Sequence, residues 1–173
     1  MSLSSTGDSV TVELVSPASR PILENLLQLY MHDLSEFRGS VPNQRGRFGG
    51  DGRYASYVSD PDRCAYIVRH LNQPSGFALV RGLSEDRRVV GGFFIVRSLR
   101  RHGLGRDAAL ALLRRHPGPW EIAFQEENPR AATFWRGVAS DLLGDDWSEE
   151  RRPVPNKAHL PEDVWITMDS RAL

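Results

Sequence analysis

The residues best suited to chemistry lie in one run, Arg100-Arg101-His102-Gly103-Leu104-Gly105-Arg106. The run joins an apolar stretch, Gly92-Phe93-Phe94-Ile95-Val96-Arg97, to a segment in which Ala108, Ala109, Leu112 and Leu113 share one helical face. Glycines at 103 and 105 leave backbone amides uncovered where that helix begins. Such amides, together with the positive end of the helix dipole, hold the oxygens of a phosphate or diphosphate. Arg100, Arg101 and Arg106 add positive charge that a solvated turn does not need. The same glycines also suit a connection whose only demand is backbone fit.

Two other phosphate motifs compete. A Walker loop requires Gly-Lys-Ser/Thr, and no such triplet occurs. Gly103-x-Gly105-x-x-Ala108 does match the dinucleotide fingerprint, with Glu126 near the spacing of its ribose-binding acid. Position argues against it, because the strands before the motif read as antiparallel and too little chain follows for a doubly wound sheet. A NAD(P)-binding domain remains the third reading, behind an enzyme and a binding module.

The elements around this run follow from periodicity. Val10–Val15 alternates as a half-buried strand. Ser19 and Pro21 open a helix whose spacing (Ile22, Leu23, Leu26, Leu27, Leu29, Tyr30) runs to about Asp33. The pattern weakens from Leu34 to Asp62, where Gly and Arg recur in a loop, with a short helix after it. Cys64–Val68 and Gly76–Val80 read as a hairpin around Asn72-Gln73-Pro74-Ser75. A strand over 88–96 precedes the glycine run, and Pro117 stops the helix after it. Trp120–Phe124 is a strand, Asn128-Pro129 opens a further helix, and Asp163–Asp169 is a final strand. The expected order is β, α, loop, β, β, β, α, β, α, β.

At 173 residues the chain fits one domain, placed at 10–173 after a polar start at 1–9 expected to be disordered. Lys and Arg number 22 against 22 Asp and Glu, which gives no electrostatic case for a nucleic-acid or membrane partner. One cysteine, Cys64, rules out an internal disulfide, and five scattered histidines give no metal spacing. With neither an export signal nor a membrane-spanning stretch in evidence, the sequence reads as cytoplasmic.

The Arg-x-x-Gly-x-Gly pattern after its strand resembles the acetyl-CoA-binding motif of the GCN5-related N-acetyltransferases (GNAT). Asn128-Pro129-Arg130-Ala131-Ala132-Thr133-Phe134-Trp135 is similar to the family's second signature, Asn-x-x-Ala-x-x-Phe-Tyr. The segment Leu29–Phe37 and the hairpin strand Gly76–Val80 are similar to a bacterial subgroup of predicted acetyltransferases. The resemblance spans roughly residues 10–169.

It implies an α/β (α+β) fold: a mixed, mostly antiparallel sheet with a splayed central strand pair, flanked by helices. Acetyl-CoA would be co-substrate, with no metal, and an amine on a small molecule or protein would be the acceptor. Pantetheine would run along Phe94, Ile95 and Val96. The diphosphate would rest on the amides of Arg101, His102, Gly103, Leu104, Gly105 and Arg106, with charge from Arg100 and Arg101. Asn128 would contact the pantetheine arm, a role beside its plain one as a helix cap, while Phe134 and Trp135 would line the cofactor. The resemblance makes Tyr30, His32, Asp33, Glu36 and Tyr54 acceptor-pocket candidates, with Asp51 behind them. Glu126 and Glu127, just past the fifth strand, are candidate bases, or else a solvated strand end beside a helix start. Trp135 stands where the family usually carries a tyrosine acid, and an indole cannot donate a proton at useful pH. That departure also suits a domain that binds acyl-CoA without turning it over. Two copies could pair through the C-terminal strand.

Overall fold

A computed structural model describes residues 10–49, 54–154 and 159–173. The start expected to be disordered, and Asp51, lie outside the described residues. The strands are β1 (Val10–Leu14), β2 (Arg63–His70), β3 (Gln73–Arg81), β4 (Arg88–Ile95), β5 (Pro119–Phe124), β6 (Trp147–Arg152) and β7 (Asp163–Asp169). They form one sheet in the order β1-β2-β3-β4-β5-β7-β6. The helices are α1 (Arg20–Arg38), α2 (Ser56–Ser59), α3 (Leu104–Arg115) and α4 (Pro129–Leu143). All strand pairs among the described residues are antiparallel except β4–β5. The dinucleotide reading of the glycines therefore has no doubly wound parallel sheet to sit on.

Side chains alternate between the two faces of each strand, and the helices divide accordingly. Phe77 and Leu79 of β3 face α1 and α2, meeting Leu23, Leu26, Leu27 and Tyr57. Ala78 and Val80 face the other way, toward Ala109, Leu112 and Leu113 of α3 and Trp135 and Val138 of α4. Trp120 and Ile122 of β5 and Ile166 of β7 complete that second core, all fully buried.

Three elements depart from the sequence reading. α1 continues to Arg38, where Gly39 ends it in the left-handed region (φ 60°) and donates its N–H to Ser35 O. Its apolar periodicity fades early because the last turns face an open cleft instead of the core. The β2–β3 hairpin turns on two residues, Leu71 and Asn72, both at positive φ, so β3 begins at Gln73. β6 was absent from the expected order. It is an edge strand of Ser-Glu-Glu-Arg-Arg character, and its charges pair with Arg136 and Glu121, so no apolar alternation marks it. Its presence corrects the expected dimer contact. β7 is flanked by β5 and β6 and has no free edge through which a second copy could pair.

One irregularity shapes the middle of the sheet. Leu79 pairs with Gly92 and Val80 with Val90, so Gly91 is an extra residue, a β-bulge in β4. β4 pairs with β5 only over Arg88–Val90, opposite Trp120–Ile122, then parts from it while staying on β3 as far as Ile95. The bulge thus ends the β4–β5 ladder and opens the central splay. Glycine is required there because a Cβ at 91 would fall 2.0 Å from Tyr57 Oη. Tyr57 is buried and cannot yield cheaply. Gly91→Ala should destabilise the fold by roughly 1–3 kcal/mol, as overpacked sites do. In a Tyr57→Ala background the penalty should shrink, a coupling that a urea-unfolding double-mutant cycle reads.

Candidate active site

The splay opens into a cleft of about 970 Å³ that reaches both faces of the sheet. Phe93 and Ile95 line it and pack on the α3/α4 side, whereas Phe94 packs with α1. Two helix N-termini border it, Gly103–Arg106 of α3 and Asn128–Ala131 of α4. Each contributes partial positive charge and free N–H groups.

The chain between β4 and α3 is built for this. A short 3-10 turn over Arg97–Leu99 leads to two left-handed residues, Arg101 (φ 68°) and Gly103 (φ 81°). Gly103 caps α3, and the first backbone bond of the helix runs from Asp107 N to Gly103 O (3.0 Å). The N–H groups of Leu104, Gly105 and Arg106 therefore have no intrahelical acceptor. Gly105 serves a second purpose, because a Cβ there would sit 3.1 Å from Phe134 Cε2. Its absence lets α3 close against an aromatic group in which Phe134 stacks on Phe93 (5.5 Å) and Trp135 meets both edge-on (4.8 and 5.2 Å). At the start of α4, Asn128 Oδ1 accepts from Ala131 N (3.2 Å), so the cap role is real. Asn128 also lines the cleft.

Most of the residues singled out in the sequence meet here. From the cofactor set, Phe94, Ile95, Arg100, Arg101, His102 and Gly103 line the cleft, as do Gly105, Arg106, Asn128, Phe134 and Trp135. Leu104 and Val96 do not. Leu104 is buried between α3 and β4, leaving only its backbone for a ligand, and Val96 donates its N–H to Ser75 O (2.9 Å). From the acceptor set only Tyr30 and Asp33 line the cleft. His32 is exposed with its ring against Phe48 (5.9 Å), Glu36 is exposed, and Tyr54 packs beside Tyr57 in the α1-side core.

Two expected roles change. Arg100 does not extend toward the α3 amides. It donates from Nε to Ile95 O (2.7 Å) and from Nη2 to Asp33 Oδ2 (2.5 Å), and it lies over the Phe94 ring (5.4 Å). Arg97 takes the other Asp33 oxygen, at 2.9 Å from Nε and 2.7 Å from Nη2. Burial alone would raise the Asp33 carboxyl, but the hydrogen bonds from Arg97 and Arg100 hold it below the usual carboxylate range. Glu126 and Glu127 are both outside the cleft lining. Glu126 is gripped by Arg136 (2.8 and 3.2 Å) and Arg151 (2.9 Å). Bonds from Arg136, foremost, keep its carboxyl below the usual range, which unsuits it as a base.

Sequence reasoning missed Arg97, Arg130 and Asp163. Arg130 lines the cleft from α4 and, like Arg101, pairs with no carboxylate among the described residues. Its position in the second residue of a helix start was the available signal. Asp163 opens β7 where β5 ends. Burial lifts its carboxyl above the usual range, against a hydrogen bond from Gln125 and the charge of Arg38. No local pattern announces that.

A sheet split at its fourth strand, with a cationic glycine turn beside the gap, defines a coenzyme-A-type acyltransferase fold. The profile of the acetyltransferase (GNAT) family matches residues 23–138, and the chain belongs to that family. No curated protein sequence matches it. Among solved structures it is similar to aminoglycoside acetyltransferase AAC(6')-Ib in complex with coenzyme A, with TM-score 0.68 and 16% identity over 95% of this chain and 96% of that one. An acetyltransferase from Thermus thermophilus gives 0.61 and 17% over 93% and 97%. The ribosomal-protein-S18-alanine N-acetyltransferase from Escherichia coli gives 0.62 and 12% over 93% and 95%. At such identities the likeness concerns the fold.

The Asp33 clasp ties α1 to the β4–α3 connection, so it should contribute to stability. Its folded-state carboxyl titrates below 3.8, the value of a free aspartate, so the contribution is complete above that pH and lost as pH falls through the folded value. Asp33→Asn should cost about 1 kcal/mol near neutrality. The difference from the parent chain should vanish in strong acid, as urea titrations across that range would reveal.

Proposed function

We propose that the chain transfers the acetyl group of acetyl-CoA to a primary amine of a small molecule or protein by direct attack inside the splayed cleft. The observation that carries this reading is the coincidence of the β4–β5 gap with the bare amides of α3. The diphosphate rests on the N–H groups of Leu104, Gly105 and Arg106. Arg101, Arg106 and Arg130 balance its charge, while Arg100 braces the connection from behind. Pantetheine lies between the unpaired edge of β4 at Phe94 and Ile95 and the wall formed by Asn128 and Phe134.

The amine attacks the acetyl carbonyl carbon, the carbonyl oxygen becomes an oxyanion, and collapse expels the coenzyme A thiolate. The amine's proton passes by way of water to Asp163, which lies outside the lining but opens β7 beside the end of β5, next to Gln125, with its carboxyl raised by burial. Trp135 donates no proton, so the thiolate departs as an anion and is protonated by solvent. The aminoglycoside and S18-alanine acetyltransferases that share the fold act on unlike amines, so the likeness leaves the acceptor at the level of a class. A binding module without turnover is the second reading, favoured by Trp135 alone.

Acetyl-CoA should raise the melting temperature and NAD(P) should not, since a ligand of the folded state stabilises by mass action. Gly105→Val forces side-chain atoms against Phe134 and should weaken acetyl-CoA by at least about tenfold, about 1.4 kcal/mol. Glu126→Ala should bind it normally. An unchanged affinity in the glycine variant would count decisively against the site.

The proton route has its own signature in the pH profile of kcat. An acid limb should be present, and an alkaline limb from a side-chain acid absent. Asp163→Asn should lower kcat roughly 10²-fold, the low end for a general base, with acetyl-CoA affinity retained. A profile and kcat that ignore the substitution would remove Asp163 from the mechanism.

A further inference from the structure

The cleft passes through the sheet, and its two ends are unlike. On the α3/α4 face the helix N-termini, Arg101, Arg106 and Arg130 suit the phosphates of the cofactor. With the cofactor on that face, the amine must arrive from the α1 face. The charged residues lining that approach are Asp33, Arg97 and Arg100, one carboxylate between two guanidiniums. Both Asp33 oxygens are engaged, so the group as a whole carries one surplus positive charge. Arg100 is pinned between Ile95 O, Asp33 and the Phe94 ring. The Arg97 side chain is 58% exposed and uses Nε and Nη2 on Asp33, leaving Nη1 without an acceptor among the described residues. Glu36, exposed and outside the lining, places its charge near Arg97 without a hydrogen bond to it, and the charge of Arg38 acts on Asp163. The remaining wall, Tyr30, Leu34 and Phe37, is largely apolar.

A polycationic amine would meet the like charge of Arg97 and Arg100 here, and the only carboxylate in the described lining, Asp33, is held by both of them, an arrangement that repels. An amine that also bears a carboxylate would find an unsaturated guanidinium and an apolar wall. A carboxylate on Arg97 makes charge-assisted hydrogen bonds of the stronger kind. We infer that the acceptor is a carboxylate-bearing amine with an apolar group, of the chemical class of the amino acids, and that Arg97 selects it. The inference rests on the acetyl-transfer reading above.

The test is free-thiol release from saturating acetyl-CoA over the apolar and aromatic amino acids, their carboxamides, the matching decarboxylated amines and spermidine. The expected result is a kcat/KM at least about tenfold higher for a free carboxylate than for its carboxamide. Arg97→Ala should bring that ratio near one, chiefly through KM, and Arg97→Lys should restore part of it. A variant that merely misfolds would depress both members of a pair alike and keep the ratio. Equal or better turnover of carboxamides or spermidine overturns the inference. So does a lack of turnover with every carboxylate-bearing amine in a protein that acetyl-CoA stabilises. Failure of acetyl-CoA to stabilise the protein at all is a different result, and sinks the acetyl-transfer reading itself.

Discussion

A strand holding one residue more than its neighbour must bend, and β4 holds that residue at Gly91, just after its last pair with β5. β3 follows the bend and β5 does not. The consequence is a gap in the centre of a sheet that is otherwise continuous, bounded by the unpaired edge of β4. Backbone groups on such an edge need partners, and in a cleft open to both faces a ligand can supply them. The bulge also sets which side chains face which way beyond it. Phe93 and Ile95 turn to the α3/α4 core and Phe94 to α1, so each face of the gap receives its own lining. Tyr57, packed on Gly91 from α2, fixes the irregularity in place.

Charge is sorted around this gap. The described lining holds five arginines and a single carboxylate. The acids of the neighbouring surface are drawn off elsewhere. Glu126 and Glu149 pair with Arg136 on the α4 side of the sheet, and Glu121 and Glu150 with Arg152 on its opposite side. These exposed pairs add little stability individually. Their effect on the cleft is larger, because they leave Arg101 and Arg130 uncompensated while the edge strand β6 stays charged and unattractive to other strands.

What was legible in the sequence was local. Gly103, Gly105 and the helical face beyond them depend only on near neighbours, as does the Asn128-Pro129 helix start, and these positions stand where the pattern put them. The likeness to the family supplied the splay, which periodicity alone does not show. What escaped depends on distant residues. Arg100 is turned by Asp33, some way back along α1, and Glu126 is claimed by Arg136 and Arg151. β6 hid because its apolar partners are few. The bulge itself was readable, since paired glycines inside a strand mark one, yet Gly91-Gly92 carries that meaning only once the strand's neighbours are known.

Trp135 shows how the same gap changes what the chemistry requires. At 6% exposure, and ringed by Phe93 and Phe134, it seals the cleft with apolar surface where the family usually has a phenol. A cysteine thiol has an ordinary pKa of about 8.5, so releasing one as an anion near pH 7 forgoes about 2 kcal/mol relative to a protonated departure, and the less acidic alkyl thiol of coenzyme A somewhat more. The α3 N-terminus is taken by the diphosphate, but that of α4, on the pantetheine wall, favours the anion further, by roughly 0.3–1 kcal/mol. A nitrogen or alkoxide leaving group would need far more help. Loss of the phenol is therefore tolerable for a thioester in particular, and the residue that replaces it contributes packing that the splayed strands cannot provide for themselves.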